Sequence, residues 1–257
     1  AGLFVDWYAK LKEDPYFNAF TYGRKQFAEF LSQWLDARLP KGSEILDVGC
    51  GSGPTLRYLK ERGYRPVGVE PAKAMRSAAL AANPGVQVVD ATADALPFEN
   101  ERFHAVFAIE VYRYLDEQDC RAGYEEAFRV LKPGGYFLFT LANRYALHGF
   151  PLFYHLKRLL NSALGREMHY DHFTTPGAIK RQLEEQFGGQ IEEIETRGIA
   201  LAFLYPLYKI NRQLASRAAR ALEFLDKRMS RHAFFAPFAA NLIVVARKKR
   251  EEGNGPH

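Results

Sequence analysis

From Ile45 to Leu141, short apolar runs alternate with segments in which apolar residues recur every three or four positions. The runs 45–48, 65–70, 86–90, 103–109 and 135–142 have the length of buried strands. Between them, 54–62 reads as a helix stopped by Gly63, 72–82 as a helix ended by Asn83-Pro84-Gly85, and 118–131 as a third. Strands that alternate with helices predict a parallel sheet covered on both faces.

The flanking regions are less regular. In 22–39, Phe27, Phe30, Leu31, Trp34 and Leu35 line one face of a helix, whereas Leu3 to Phe20 keeps no steady period and contains Pro15. Beyond Asn143, apolar residues at 152, 153, 156, 159 and 160 mark a helical face, Thr175-Pro176 caps a helix over 176–187, and strands are expected at 190–197 and 241–246. A long excursion, 198–238, separates those strands. In its 209–231 part, Ile210, Leu214, Ala218, Leu222, Leu225 and Met229 form one stripe with Lys209, Arg212, Arg217, Arg220, Lys227, Arg228 and Arg231 largely elsewhere. This basic amphipathic helix has three readings: a lid on the core, a dimer face, or a membrane-surface helix near a lipid-like substrate.

The candidate chemistry starts at the first strand. Glu44 to Pro54 reads strand, tight turn, helix; glycines at 49, 51 and 53 allow a sharp turn and a ligand lying against bare backbone, and Pro54 suits a first helical position. The free N–H groups of the helix start face the same space, which predicts a crevice at the strand's carboxyl end. Glu70 closes the next strand about 20 residues on, the place from which a carboxylate reaches ribose hydroxyls. As an acid near a helix start it also has a structural reading. The glycines are spaced G-x-G-x-G, with Pro54 where a dinucleotide fingerprint would continue and Asp47 two residues before the first glycine. That pattern departs from a pyrophosphate cradle.

With Asp47 to Gly53, Glu70, Ala95-Leu96-Pro97-Phe98 and Leu131-Lys132-Pro133-Gly134-Gly135, residues 40–145 resemble the class I S-adenosylmethionine-dependent methyltransferases, in particular the branch with the ubiquinone and menaquinone methyltransferases. The resemblance implies an α/β fold: a Rossmann-like, doubly wound, mostly parallel seven-stranded sheet with helical lid insertions. The expected division is an N-terminal helical lid over 1–40, a cofactor-binding core over 41–143, an insertion and helix over 144–189, the last strands with their helical insertion over 190–247, and a disordered tail over 248–257.

The same resemblance assigns site residues. S-adenosylmethionine would be held by Asp47, Gly49, Cys50, Gly51, Gly53, Glu70, Pro71, Thr92, Ala93 and Glu110, with Tyr22 and Arg24 reaching in from the N-terminal segment. Asp47 would pair with the ammonium, or hold loop N–H groups. Thr92 stands where the adenine loop usually carries an acid; its hydroxyl and the Ala93 N–H could still serve adenine. Tyr112 follows the fourth strand, either lining the passage to the methyl group or packing. His169-Tyr170-Asp171-His172-Phe173 invites a metal or general-base reading, but spacing gives no third ligand, and a related run in the family suggests a structural role. If the acceptor is a hydroxyl, His148, His169, His172 and Tyr112 are the candidate bases. No metal is expected.

Charge and cysteines change the picture little. The net charge of +5 is uneven: residues 144–257 hold 18 basic and 11 acidic side chains. An anionic partner there, or simply a solvated basic face, would explain it. Cys50 and Cys120 offer no disulfide framework and fit a reducing compartment, so a cytoplasmic protein is expected. The runs 199–208 and 233–246 are too short or interrupted to span a bilayer.

The expected reaction is methyl transfer from S-adenosylmethionine to a small, apolar or aromatic molecule, leaving S-adenosylhomocysteine. An RNA or protein methyltransferase is the main alternative, although no RNA-binding appendage is evident. A non-catalytic cofactor-binding subunit is another. A nicotinamide dehydrogenase is disfavoured by Pro54 and the Leu96-Pro97-Phe98 loop.

Overall fold

The computed structural model describes residues 14–146, 172–201, 207–208, 210–230 and 236–250, together with 154, 156, 160, 161, 163 and 164. They form two compact units, one from the described residues within 39–140, 179–195 and 244–250, the other from those within 14–38, 141–178 and 196–243.

The first unit is built on the sheet. The early strands of the sheet are β1 (Glu44–Val48), β2 (Arg65–Val69), β3 (Gln87–Val89), β4 (Phe103–Ala108) and β5 (Leu131–Asn143); later in the chain come β6 (Phe173–Thr174), β7 (Ile191–Leu201) and β8 (Ala239–Lys248). The sheet order is β3-β2-β1-β4-β5-β8-β7, and β1 through β5 pair in parallel. Ile45 to Val48 are buried because helices cover both faces, which is why the run is continuously apolar. Strand order reverses at β1, whose neighbours are β2 and β4. Val48 is level with Val69 and with Ala108, and Val69 with Val89, so Gly49, Glu70, Asp90 and the residues after Ala108 emerge on one rim.

The covering helices are α2 (Pro54–Glu61), α3 (Lys73–Ala82), α4 (Glu117–Val130) and α5 (Pro176–Phe187). α4 is capped by Asp116, whose carboxylate accepts the Asp119 N–H at 2.9 Å. Its Tyr124 and Phe128 meet Phe137 of β5, and Phe128 stacks on Phe187 of α5 at 4.0 Å between centroids. The Lys249 N–H donates to the Gln190 carbonyl at 2.7 Å, so the end of β8 meets the start of β7 and the two run in opposite directions.

Strand ends differ from expectation. β5 begins at Leu131 and not at 135, because the segment between the expected helix and strand joins the strand through an irregularity opposite Phe103 to Ala105. β8 runs through Lys248, whose ammonium donates to the Leu131 carbonyl at 2.8 Å and the Phe128 carbonyl at 3.1 Å. That lysine therefore belongs to the fold and not to a tail.

The second unit contains α1 (Ala19–Arg38), α6 (Arg212–Ser230) and β6, which pairs in parallel with Ala142 and Asn143. In α1, Phe27, Leu31, Trp34 and Leu35 are buried as the period predicts. In α6 the apolar stripe is not the buried face. The buried positions are Ala215, Ala219 and Asp226, a different face from the expected stripe, and Ile210, Leu214 and Leu225 stay exposed. The reason is polar: Tyr22 donates to Asp226 Oδ2 at 2.5 Å, Glu223 is held by Tyr16, Lys25 and Lys227, and Lys227 also pairs with Glu29 at 2.5 Å. Asp226 is fully buried, where an unmatched carboxylate would be costly, so this pairing sets the rotation of α6.

Candidate functional site

The glycine loop follows β1 through Gly49, Gly51 and Gly53, all in the left-handed region, with φ of 66°, 56° and 79°. A Cβ on Gly49 would lie 2.5 Å from Val111 Cγ2, and one on Gly53 would strike the Asn83 amide. That amide earns its place by donating to the Gly53 carbonyl at 3.1 Å and the Ala79 carbonyl at 2.9 Å, tying α3 to the loop. Gly51 is different: the nearest atom a Cβ would meet is Met75 Cε at 3.7 Å, so this glycine presents bare backbone with room beside it. Gly68 of β2 allows a further close approach, since a Cβ there would sit 2.8 Å from Cys50 Sγ and 2.9 Å from Leu56.

Glu70 organises the rim. Its carboxylate, nearly buried, accepts the Gly51 N–H on Oε2 and the Ala72 N–H on Oε1, each at 2.9 Å. The structural reading of this acid is thus observed: it braces the loop and the start of α3, with a second lone pair on each oxygen. Arg76 fixes the backbone behind it, donating to the Glu70 carbonyl at 2.8 Å, the Pro71 carbonyl at 3.0 Å and Asp90 Oδ2 at 2.8 Å. Asp47 is buried near the end of β1. Burial, then the charges of Asp47 and Glu70, push the Cys50 thiol well above its ordinary range, so it packs as a neutral side chain and is no nucleophile.

At the end of β4, Glu110 adopts φ 60°, a costly conformation for a residue with a Cβ. It is held there by its N–H donating to Thr140 Oγ1 at 2.7 Å, the Thr140 hydroxyl donating to Glu110 Oε1 at 3.3 Å, and Arg113 donating to Oε2 at 2.8 Å. The next residue, Val111, is the one pressed on Gly49. Asp47, Glu70, Asp90 and Glu110 stand at successive strand ends; Arg76 and Arg113 pair with Asp90 and Glu110, and the remaining Asp47 and Glu70 suit a cationic ligand better than a pyrophosphate.

Other expected residues divide. Ala93 is buried and Thr92 exposed in the loop after β3. The Leu96-Pro97-Phe98 segment is clamped by α4: Glu126 accepts the Leu96 N–H at 2.8 Å, and Arg129 donates to the Leu96 and Phe98 carbonyls at 2.9 and 2.8 Å. Tyr112 is corrected from a candidate base to a core residue. It is fully buried, its hydroxyl donates to the Gly123 carbonyl at 3.1 Å, its ring packs on Tyr124 and Phe139, and burial pushes its phenol well up. Tyr22 likewise takes the packing role, its hydroxyl engaged with Asp226. The Arg24 side chain, His148 and His169 lie outside the described residues. His172 is half-buried just before β6. Among the described residues, no group of His, Cys, Asp and Glu is placed to hold a metal ion.

Sequence reasoning missed Arg76, Asn83, Val111, Glu126, Arg129 and Thr140. Each acts across 19 or more residues or from within a helix, and none carries a local motif; only the carboxylates they serve could have hinted at them.

Residues 46–139 match the family described as a methyltransferase domain. A ubiquinone biosynthesis O-methyltransferase of Pseudomonas fluorescens is 32% identical over 117 residues, which cover 43% of this chain and 50% of that protein. A 2-methyl-6-phytyl-1,4-hydroquinone methyltransferase of Synechocystis sp. is 33% identical over 130 residues, 48% of this chain and 40% of that protein. The chain thus spans half or less of the length of these curated relatives. Among solved structures, phosphoethanolamine N-methyltransferase 2 of Haemonchus contortus, in complex with S-adenosyl-L-methionine, superposes with a TM-score of 0.58 at 18% identity, over 87% of this chain and 53% of that one, a likeness of fold. Residues 46–139 thus match a methyltransferase domain, and the strand order is that of a fold shared with solved S-adenosylmethionine-dependent methyltransferases.

Proposed function

We propose that this protein transfers the methyl group of S-adenosylmethionine to a small apolar or aromatic acceptor, by O- or C-methylation, leaving S-adenosylhomocysteine. The observation that carries the reading is the acidic rim around Gly51: Glu70 is fixed by two backbone N–H groups with lone pairs to spare, beside a glycine whose missing Cβ leaves room. The bound cofactor would supply a methyl group already activated by its sulfonium. The chain's own work is then to hold and orient. Asp47 would take the ammonium and Glu70 the ribose hydroxyls, while Gly51 lets the ligand lie on the backbone and the Ala93 N–H serves the adenine. Fixing the acceptor in line and excluding water can lower the barrier by about 7–11 kcal/mol, so little acid–base machinery is required.

The quinol-type substrates in the names of the curated relatives support an aromatic hydroxyl or ring carbon as acceptor here. For a hydroxyl, His172, His169 and His148 are the imidazoles proposed as base, Tyr112 being committed to the core. Titration calorimetry with S-adenosylhomocysteine tests the reading: micromolar or tighter binding that is lost in Glu70→Ala is expected, and no binding by the intact protein would overturn it. Binding without turnover on any phenol or quinol would instead favour a non-catalytic subunit.

A further inference from the structure

We infer that the second unit docks on an anionic phospholipid surface through the outward face of α6. The most regular apolar stripe of this helix is not the one the protein buries. Ala215, Ala219 and Asp226 face inward, at spacings of four and seven, while Leu214 is 53% exposed, Leu225 45%, Phe224 76% and, just ahead of the helix, Ile210 82%. Arg217 and Arg228 are exposed on the same outward side as Phe224, spaced seven and four from it. Large apolar side chains interleaved with arginines on one helix face form the pattern of a helix lying in a membrane interface.

Two further observations point the same way. A shallow hollow of about 360 Å³ on this unit is lined by Arg212, Ser216, Arg217 and Arg220, with the Asp14 carboxylate already taken by Arg220 at 2.8 Å. Its cations and hydroxyl match a lipid phosphodiester. A separate segment of the unit repeats the pattern, with Leu156, Leu160 and Leu164 between 56% and 64% exposed at four-residue spacing. Exposed apolar patches of this kind are uncommon on proteins that meet only water. No helix among the described residues is long and apolar enough to cross a bilayer, which makes the contact peripheral.

Charge complementarity selects the occupant. A second copy of this face would set Arg217 and Arg228 against their own kind, and a neutral apolar partner would leave them unmatched, whereas anionic headgroups satisfy them while the acyl boundary receives Phe224, Leu214 and Leu225.

Vesicle co-sedimentation tests this without any turnover, so it stands or falls separately from methyl transfer. The intact protein should sediment with vesicles of equal parts phosphatidylglycerol and phosphatidylcholine, not with phosphatidylcholine alone, and high salt should weaken the binding. Leu214→Gln, Phe224→Gln and Leu225→Gln should each lower the partition about tenfold, and Arg217→Gln and Arg228→Gln about fivefold each. Leu80→Gln, an exposed leucine of the sheet unit, should change nothing. All these positions are exposed, so the variants keep the fold. The inference is overturned if the mixed vesicles do not retain the protein or if the α6 variants bind as well as the parent. It is also overturned if sedimentation velocity without vesicles shows a dimer that the same substitutions dissolve, which would assign the face to a second copy.

Discussion

Glu70 at the end of β2 and Glu223 in the charged contact between α1 and α6 are both carboxylates held by several donors, yet they are satisfied in different ways. At the rim, Glu70 is held by backbone N–H groups that leave its charge uncompensated by any cation of its own. Between the helices, Glu223 is matched by Lys25, Lys227 and Tyr16. Burial alone would raise the Glu223 carboxyl, but those three hydrogen bonds outweigh it and hold the group at about 2. A carboxylate fixed by neutral donors keeps its field for a cationic ligand, whereas one fixed by ammonium groups spends it on the fold.

The largest effect expected from breaking this comparison is at the loop. Gly49→Ala must adopt φ 66° and press on Val111, so it should cost about 2–5 kcal/mol in chemical denaturation and abolish S-adenosylhomocysteine binding. Glu70→Gln comes next. It preserves shape but removes the charge and sets an amide NH2 against one of the two backbone N–H groups, and calorimetry should show affinity falling about 10–100-fold, in line with a charged hydrogen bond worth about 1.5–3 kcal/mol. The mirror experiment is Tyr22→Phe in the clasp: stability should drop by about 1–3 kcal/mol because the buried Asp226 loses the Tyr22 hydrogen bond, with affinity for S-adenosylhomocysteine unchanged. A drop in affinity as well would return Tyr22 to the cofactor.

The smallest effect is a pH dependence. The folded-state pKa of Glu223 is depressed, so the stability it contributes is fully present above the unfolded carboxyl value near 4.3 and is lost as pH falls toward about 2. Glu223→Gln should therefore flatten the acid arm of a denaturation series between about pH 5 and 2, leaving the neutral region's pH dependence unchanged.

Much of the sheet unit was legible in the chain because its signals are local. Val48 and Val69 lie at the ends of apolar runs that any helix-covered parallel strand requires, and Gly49, Gly51 and Gly53 occupy a turn that side chains would obstruct. Tyr112 shows the limit. Its sequence neighbourhood suits a passage beside a reacting methyl group equally well, and only the ring contacts from Tyr124 and Phe139 place it in the core.

By itself the sequence determined the alternation of strands and helices, the position of the glycine loop, and the acid that faces it from the next strand, since each follows from backbone sterics and periodicity within a few residues. Tertiary structure decided what those elements do with their side chains. It turned α6 so that Asp226 could reach Tyr22 and left the leucine stripe outside; it brought Thr140 and Arg113 to hold Glu110 in a strained turn. Helical period says which residues share a face. It cannot say which face is buried, because partners from distant segments, such as Tyr22 for Asp226, also decide it.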